Sequence, residues 1–145
     1  MQLRRRLHWC MAEIRIPTGA WAALKETVTR DKTVAHFHDD MPEVYGTPLM
    51  IYLMELAAAQ AIAPYLPTGW ISVGAGVEVT HLAATPVGFT VTARAEVLEW
   101  NGKTVTFAVE AKDGVDLIGQ GRHVRAPVEL ARFNRGVEAK AAKRA

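Results

Sequence analysis

The longest apolar stretch of the chain runs from Pro48 to Leu66, PLMIYLMELAAAQAIAPYL, and carries one charge, Glu55. Thr47 suits a helix N-cap and Pro48 the first helical turn, where no backbone N–H is needed. Ala57, Ala58, Ala59 and Ala61 favour helix. Pro64, and then Pro67-Thr68-Gly69, stop it. About 16 helical residues is short for a membrane span, and Glu55 and Gln60 would sit inside it. The pattern therefore predicts a central helix buried in a protein core.

Beyond Gly69 the period changes from helical to alternating. Ile71 to His81 reads as a strand, with small residues at Gly74, Ala75 and Gly76. Phe89, Val91, Ala93, Ala95 and Val97 then alternate with Thr90, Thr92, Arg94 and Glu96, which is period two with one apolar face. Asn101-Gly102 is a strong hairpin signal. Val105, Phe107, Val109 and Ala111 continue the alternation, Asp113-Gly114 makes a second turn, and a last strand runs from about Val115 to Ala126. Three strands thus form an antiparallel meander, preceded by a fourth strand and the helix. An antiparallel sheet wrapped around one long apolar helix is an α+β architecture. Upstream, residues 13–45 are mixed. Thr27 to Thr29 and Thr33 to Phe37 are strand-like in composition, and His38 to Pro42 reads as a loop. From Leu130 a short element leads into a charged tail.

Composition narrows the function classes. The chain has 145 residues, 50% hydrophobic and 22% charged, which suits one globular domain. The net charge is +2, and the excess sits at the ends, on Arg4, Arg5 and Arg6 and on Lys140, Lys143 and Arg144. The body is close to neutral or acidic, which argues against nucleic-acid binding. The single cysteine, Cys10, excludes an internal disulfide and fits the reducing cytoplasm. The apolar residues after Arg6 are too few for a signal-peptide core, and Met11 is a possible alternative start.

Three polar residues stand out in this apolar setting. A carboxylate at Glu55 on a buried helix costs several kcal/mol unless it meets a partner. That partner is either a structural donor such as an arginine, or a histidine or water that Glu55 orients. His81 ends the first strand after the helix. Thr47, at the helix N-terminus, gains from the helix dipole either as a nucleophile or as a donor to an oxyanion, besides any role as a cap. His36 and His38 would share one strand face near Asp39 and Asp40, too few spaced ligands for a metal site. His123, between Arg122 and Arg125, reads as a surface residue. Gly74-Ala75-Gly76 precedes no helix, so it is not a dinucleotide loop, and small residues there let a ligand or backbone approach closely.

Taken together, Tyr45-Gly46-Thr47-Pro48 with Leu53-Met54-Glu55, then Ser72-Val73-Gly74, then Val79-Thr80-His81-Leu82-Ala83-Ala84-Thr85-Pro86, resemble the fluoroacetyl-CoA thioesterase type of the hot-dog superfamily. Val115 to His123 matches the last strand of that family, and the similarity covers roughly residues 20 to 137. The resemblance implies a hot-dog domain over 19–137, with an N-terminal extension over 1–18 and a tail over 138–145. It implies a homodimer or larger homo-oligomer with active sites near the subunit interface. It implies hydrolysis of a short acyl-CoA thioester without metal or other cofactor, with Thr47, Glu55 and His81 as the catalytic set. In this scheme Glu55 and His81 activate the attacking group, and Thr47 attacks or stabilises the oxyanion. Gly74, Tyr45 and Met41 would border the substrate, Gly74 through its backbone. Met41 stands where the fluoroacetyl-specific member carries an aromatic residue in its lid, a departure that bears on acyl selectivity. Two rivals remain: a non-catalytic acyl-CoA-binding protein of the same fold, and an enoyl-CoA hydratase, whose Asp-and-His motif is not found in the chain.

Overall fold

A computed structural model describes residues 14–144. The Arg4–Arg6 run, Cys10, Met11 and most of the expected N-terminal extension lie outside the described residues. Five strands form one antiparallel sheet: β1 (Trp21–Thr27), β2 (Trp70–His81), β3 (Thr90–Trp100), β4 (Val105–Lys112) and β5 (Leu117–Glu129). Three helices accompany them: α1 (Val34–Phe37), α2 (Thr47–Ile62) and α3 (Leu130–Ala141). The sheet order is β1-β3-β4-β5-β2, so the strand leaving the long helix crosses the sheet to its far edge.

The expected meander is β3-β4-β5, closed by the two expected turns. Asn101 Oδ1 accepts the N–H groups of Lys103 and Thr104, and Gly102 takes the positive φ of 88° that the turn demands. Asp113 Oδ1 likewise accepts from Val115 and Asp116. Val91, Ala93, Ala95 and Val97 of β3 and Val105, Phe107, Val109 and Ala111 of β4 are buried on one face. That face packs on Met50, Leu53, Met54, Ala57, Ala58, Ala61 and Ile62 of α2, as expected for a hot-dog sheet around its helix. The helix lies close to the sheet because Gly119 has no side chain: a Cβ there would fall 2.5 Å from Met50 Sδ.

Four features depart from the sequence reading. β1 lies in the stretch read as mixed and ends at Thr27, where strand-like composition was expected to begin; it is a seven-residue edge strand paired, among the described residues, only with β3, through registers such as Leu24 with Ala93. Thr33 to Phe37 is not a strand. Thr33 makes an isolated bridge to Tyr45, and Val34–Phe37 then coil into one turn of helix, so His36 and His38 do not share a strand face. The β-branched composition that suggested a strand is a weak cue, overridden here by local helical bonds such as His38 N–H to Val34 O. Third, α2 is covered on one side only. Tyr52 is 58% and Leu56 39% exposed, because a single five-stranded sheet reaches around only half the helix. Fourth, α3 continues to Ala141, through the start of the stretch read as a charged tail.

Candidate active site

The helix start brings the first two site residues together. Gly46, with φ −74° and ψ 136°, is the N-cap, and Thr47 is the first helical residue. This corrects the expectation that Thr47 caps the helix: its hydroxyl makes no bond to the helix backbone and instead meets His81 Nδ1 at 2.7 Å. His81 is the last residue of β2, and its other ring nitrogen, Nε2, is buried without a hydrogen-bond partner among the described residues. A buried, unpaired ring nitrogen costs about 1–3 kcal/mol.

One residue holds this pair in register. Thr85 is fully buried; its carbonyl accepts the Tyr45 N–H at 2.8 Å and its hydroxyl donates to Asp113 Oδ2 at 2.8 Å. Tyr45 stands two residues before Thr47, and Thr85 four residues after His81. The segment between is tied again by Leu82 N–H to Ile118 O at 2.7 Å. The backbone and Thr85 bonds that Asp113 accepts hold its carboxyl below the usual range, against the burial that would raise it most.

Glu55 lies two helical turns further along α2, on the order of 12 Å from Thr47. It faces a different group of residues. A Cβ built on Gly74 would lie 3.6 Å from Glu55 Oε1, 3.6 Å from His123 Cε1 and 3.8 Å from Arg125 Nη1, so these side chains converge on that bare backbone. His123 is 1% exposed, which corrects its reading as a surface residue. It pairs with Phe107 across the ladder, so the parity of β5 turns His123 and Arg125 inward together. Arg125 Nε donates to Ser72 Oγ at 2.8 Å and Nη2 to Ser72 O at 2.7 Å. His123 Nδ1 donates to Gly76 O at 2.7 Å, beside the bulge where the β2–β5 register shifts between Gly74 and Gly76. A carbonyl only accepts, so Nδ1 carries the proton and Nε2 is free to accept from Arg125 Nη1 at 3.2 Å. Burial, and then the Arg125 charge, push the His123 pKa down, against the Gly76 bond.

Within one chain, then, Thr47 meets His81, while Glu55 meets the Gly74, His123 and Arg125 group. Gly74 and His81 are roughly 20 Å apart along β2. The other two expected residues stand elsewhere. Tyr45 is 1% exposed with its hydroxyl on Glu26 Oε1 at 2.5 Å, and burial together with that bond raises its pKa. Met41 is 46% exposed on the segment leading into α2. Inward-facing His123 and Arg125 escaped the sequence reading, although the two-residue spacing from Gly119 and Gly121 through β5 carried the signal. Among the described residues, no group of three or more His, Cys, Asp or Glu side chains is placed to hold a metal, and no helix is long and apolar enough to cross a membrane.

The fluoroacetyl-CoA-specific thioesterase family model matches residues 28–131. The chain is 45% identical over 115 residues to a fluoroacetyl-CoA thioesterase of Streptantibioticus cattleyicolor, across 75% of this chain and 83% of that one. The solved structure of the fluoroacetyl-CoA thioesterase FlK superposes with a TM-score of 0.81 at 41% identity, covering 87% of this chain and 98% of that one. Variants of FlK in which a threonine is replaced have been solved with fluoroacetate and with acetyl-CoA. A thioesterase-superfamily member from Thermus thermophilus aligns with a TM-score of 0.79 at 34% identity, covering 89% of this chain and 98% of that one.

Proposed function

The chain belongs to the fluoroacetyl-CoA-specific thioesterase family and is an acyl-CoA thioesterase, and on that premise we propose that it hydrolyses a short acyl-CoA, of the acetyl to fluoroacetyl type, to free CoA and a carboxylic acid. The observation that carries the site assignment is the 2.7 Å contact of Thr47 Oγ1 with His81 Nδ1, beside a buried His81 Nε2 that has no partner among the described residues. With the proton on Nε2, Nδ1 accepts from the threonine hydroxyl. Thr47 Oγ attacks the thioester carbonyl, His81 takes its proton and returns it to the departing CoA thiolate, and water then releases the acid from Thr47. The N-terminus of α2 lies behind the developing negative charge. Met41, at the place of the lid aromatic, leaves selectivity within short acyl groups to the panel below.

An Nε2–H needs an acceptor, and we assign that role to Glu55 of a second copy. Strand β2 is a free sheet edge with Ile71 and Val77 exposed, and Tyr52 and Leu56 are exposed on the uncovered side of α2. Free edges of this length are normally paired or protected. A two-fold axis crossing antiparallel β2 strands at Glu78 would, with the bulge between Gly74 and Gly76 absorbing one residue, set Gly74, with the Glu55 beside it, close to His81 of the partner subunit. The single cysteine suits a reducing compartment, and we place the enzyme in the cytoplasm.

The test is release of free thiol from acetyl-, fluoroacetyl-, butyryl- and octanoyl-CoA by the wild-type protein and by His81→Ala and Thr47→Ala. Turnover of the shortest substrates that either substitution lowers by roughly 100-fold or more supports the assignment. Turnover that survives both substitutions overturns it, and binding without any turnover points to a ligand-binding protein.

A further inference from the structure

Glu55 has a buried cation beside it, Arg125. Arg125 is 8% exposed, and three of its five N–H groups are committed: two to Ser72 and one to His123. Its charge lies close enough to Gly74 to share that face with Glu55, yet no Arg125–Glu55 ion pair within 4 Å forms among the described residues. A guanidinium beside a carboxylate ordinarily closes into a bidentate pair. Here Ser72 and His123 hold it back. His123 in turn cannot rotate freely: its ring stacks on Phe107 with centroids 6.1 Å apart and 25° between planes, and its Nδ1–H is fixed on Gly76 O.

We propose that His123 is a positioning residue for thioester hydrolysis, whose Nε2 lone pair restrains the Arg125 guanidinium so that it stays beside Glu55 without capturing the carboxylate oxygens needed by His81. The inference rests on the reading of Glu55 given above. It makes His123 a residue whose loss is felt in turnover through Glu55 and not in substrate binding. Without the Nε2 acceptor, Arg125 is free to swing onto Glu55 and occupy it.

Asn and Gln separate the two bonds of His123. Asparagine reproduces the short arm to Gly76, and glutamine reaches the position of Nε2 and can accept from Arg125. His123→Asn is expected to lower kcat roughly 10-fold or more with KM changed little, and His123→Gln to recover most of it. In the Glu55→Ala background, His123→Asn should add almost nothing, because the residue acts through Glu55. Circular dichroism and the thermal midpoint of each variant establish that it is folded before kinetics are compared. Equal kcat for the Asn and Gln variants, or a His123→Asn loss that multiplies fully onto that of Glu55→Ala, overturns the proposal. Wild-type turnover by Glu55→Ala alone would instead sink the site assignment itself, so the two failures are distinguishable.

Discussion

Equal amounts of His81→Ala and Glu55→Ala subunits, each inactive as a homodimer, should regain activity when refolded together. The reason is the separation of the two half-sites along α2 and β2, on the order of 12 Å on the helix and 20 Å on the strand. If each site takes Thr47 and His81 from one copy and Glu55 from the other, a hybrid dimer carries one intact site and one site lacking both groups. Random pairing makes half the dimers hybrid, so the mixture reaches about a quarter of wild-type turnover per subunit. Each parent alone should fall by roughly two to four orders of magnitude, the usual contribution of a positioned proton-transfer group. Free-thiol release with a short acyl-CoA, read before and after co-refolding from denaturant, measures the recovery. A mixture no more active than its parents, while size exclusion shows dimers forming, would refute the composite site and require Glu55 to reach His81 within one chain.

Two further outcomes follow from buried groups away from the reacting atoms. Thr85→Val leaves the buried Asp113 Oδ2 without its 2.8 Å donor, and should cost about 1–3 kcal/mol in denaturant unfolding, with Thr85→Ser close to wild type. Stability should also fall as pH drops below the ordinary histidine value of 6.5, because the unfolded chain then takes up a proton that burial denies to folded His123 until lower pH. His123→Gln should flatten the thermal midpoint between about pH 7 and about pH 5, while any further loss below that, where Asp113 titrates, remains.

Much of the architecture was legible because it rests on strong periodic signals. Nineteen near-continuous apolar residues ending in prolines make a central helix, and the alternation from Val91 to Ala111 makes paired strands with one buried face. β1 was not legible: it is seven residues long, includes Lys25 and Glu26, and is a strand only because β3 offers it an edge. α1 was misread for the same reason, since a four-residue helix carries too few positions to show a period. Thr47 and His81 stood out as polar residues at element ends, and they do meet. His123 and Arg125 hid because two arginines around a histidine look like a solvated surface. Only the register of β5 against β4 reveals that their parity matches Phe107. The uncovered side of α2 was likewise invisible to a pattern that recorded apolar residues and not which of them the chain itself would cover.

The order of the strands also governs when the site can form. Among the described residues β2 pairs with β5 and with no other strand, although β3 and β4 lie between them in sequence. During synthesis, the strand carrying Gly74 and His81 therefore emerges with no ladder to join until Leu117–Glu129 has followed it. Even then, a Cβ at Gly121 would lie 2.1 Å from Glu78 O, so the final docking tolerates no side chain at the point where the two strands close. The meander from β3 to β5 has only local loops to close and is free to assemble first. The strand carrying Gly74 and His81 can then lock only after that meander is complete, and a delay in forming β5 leaves the apolar residues Ile71 and Val77 on an unpaired strand for longer.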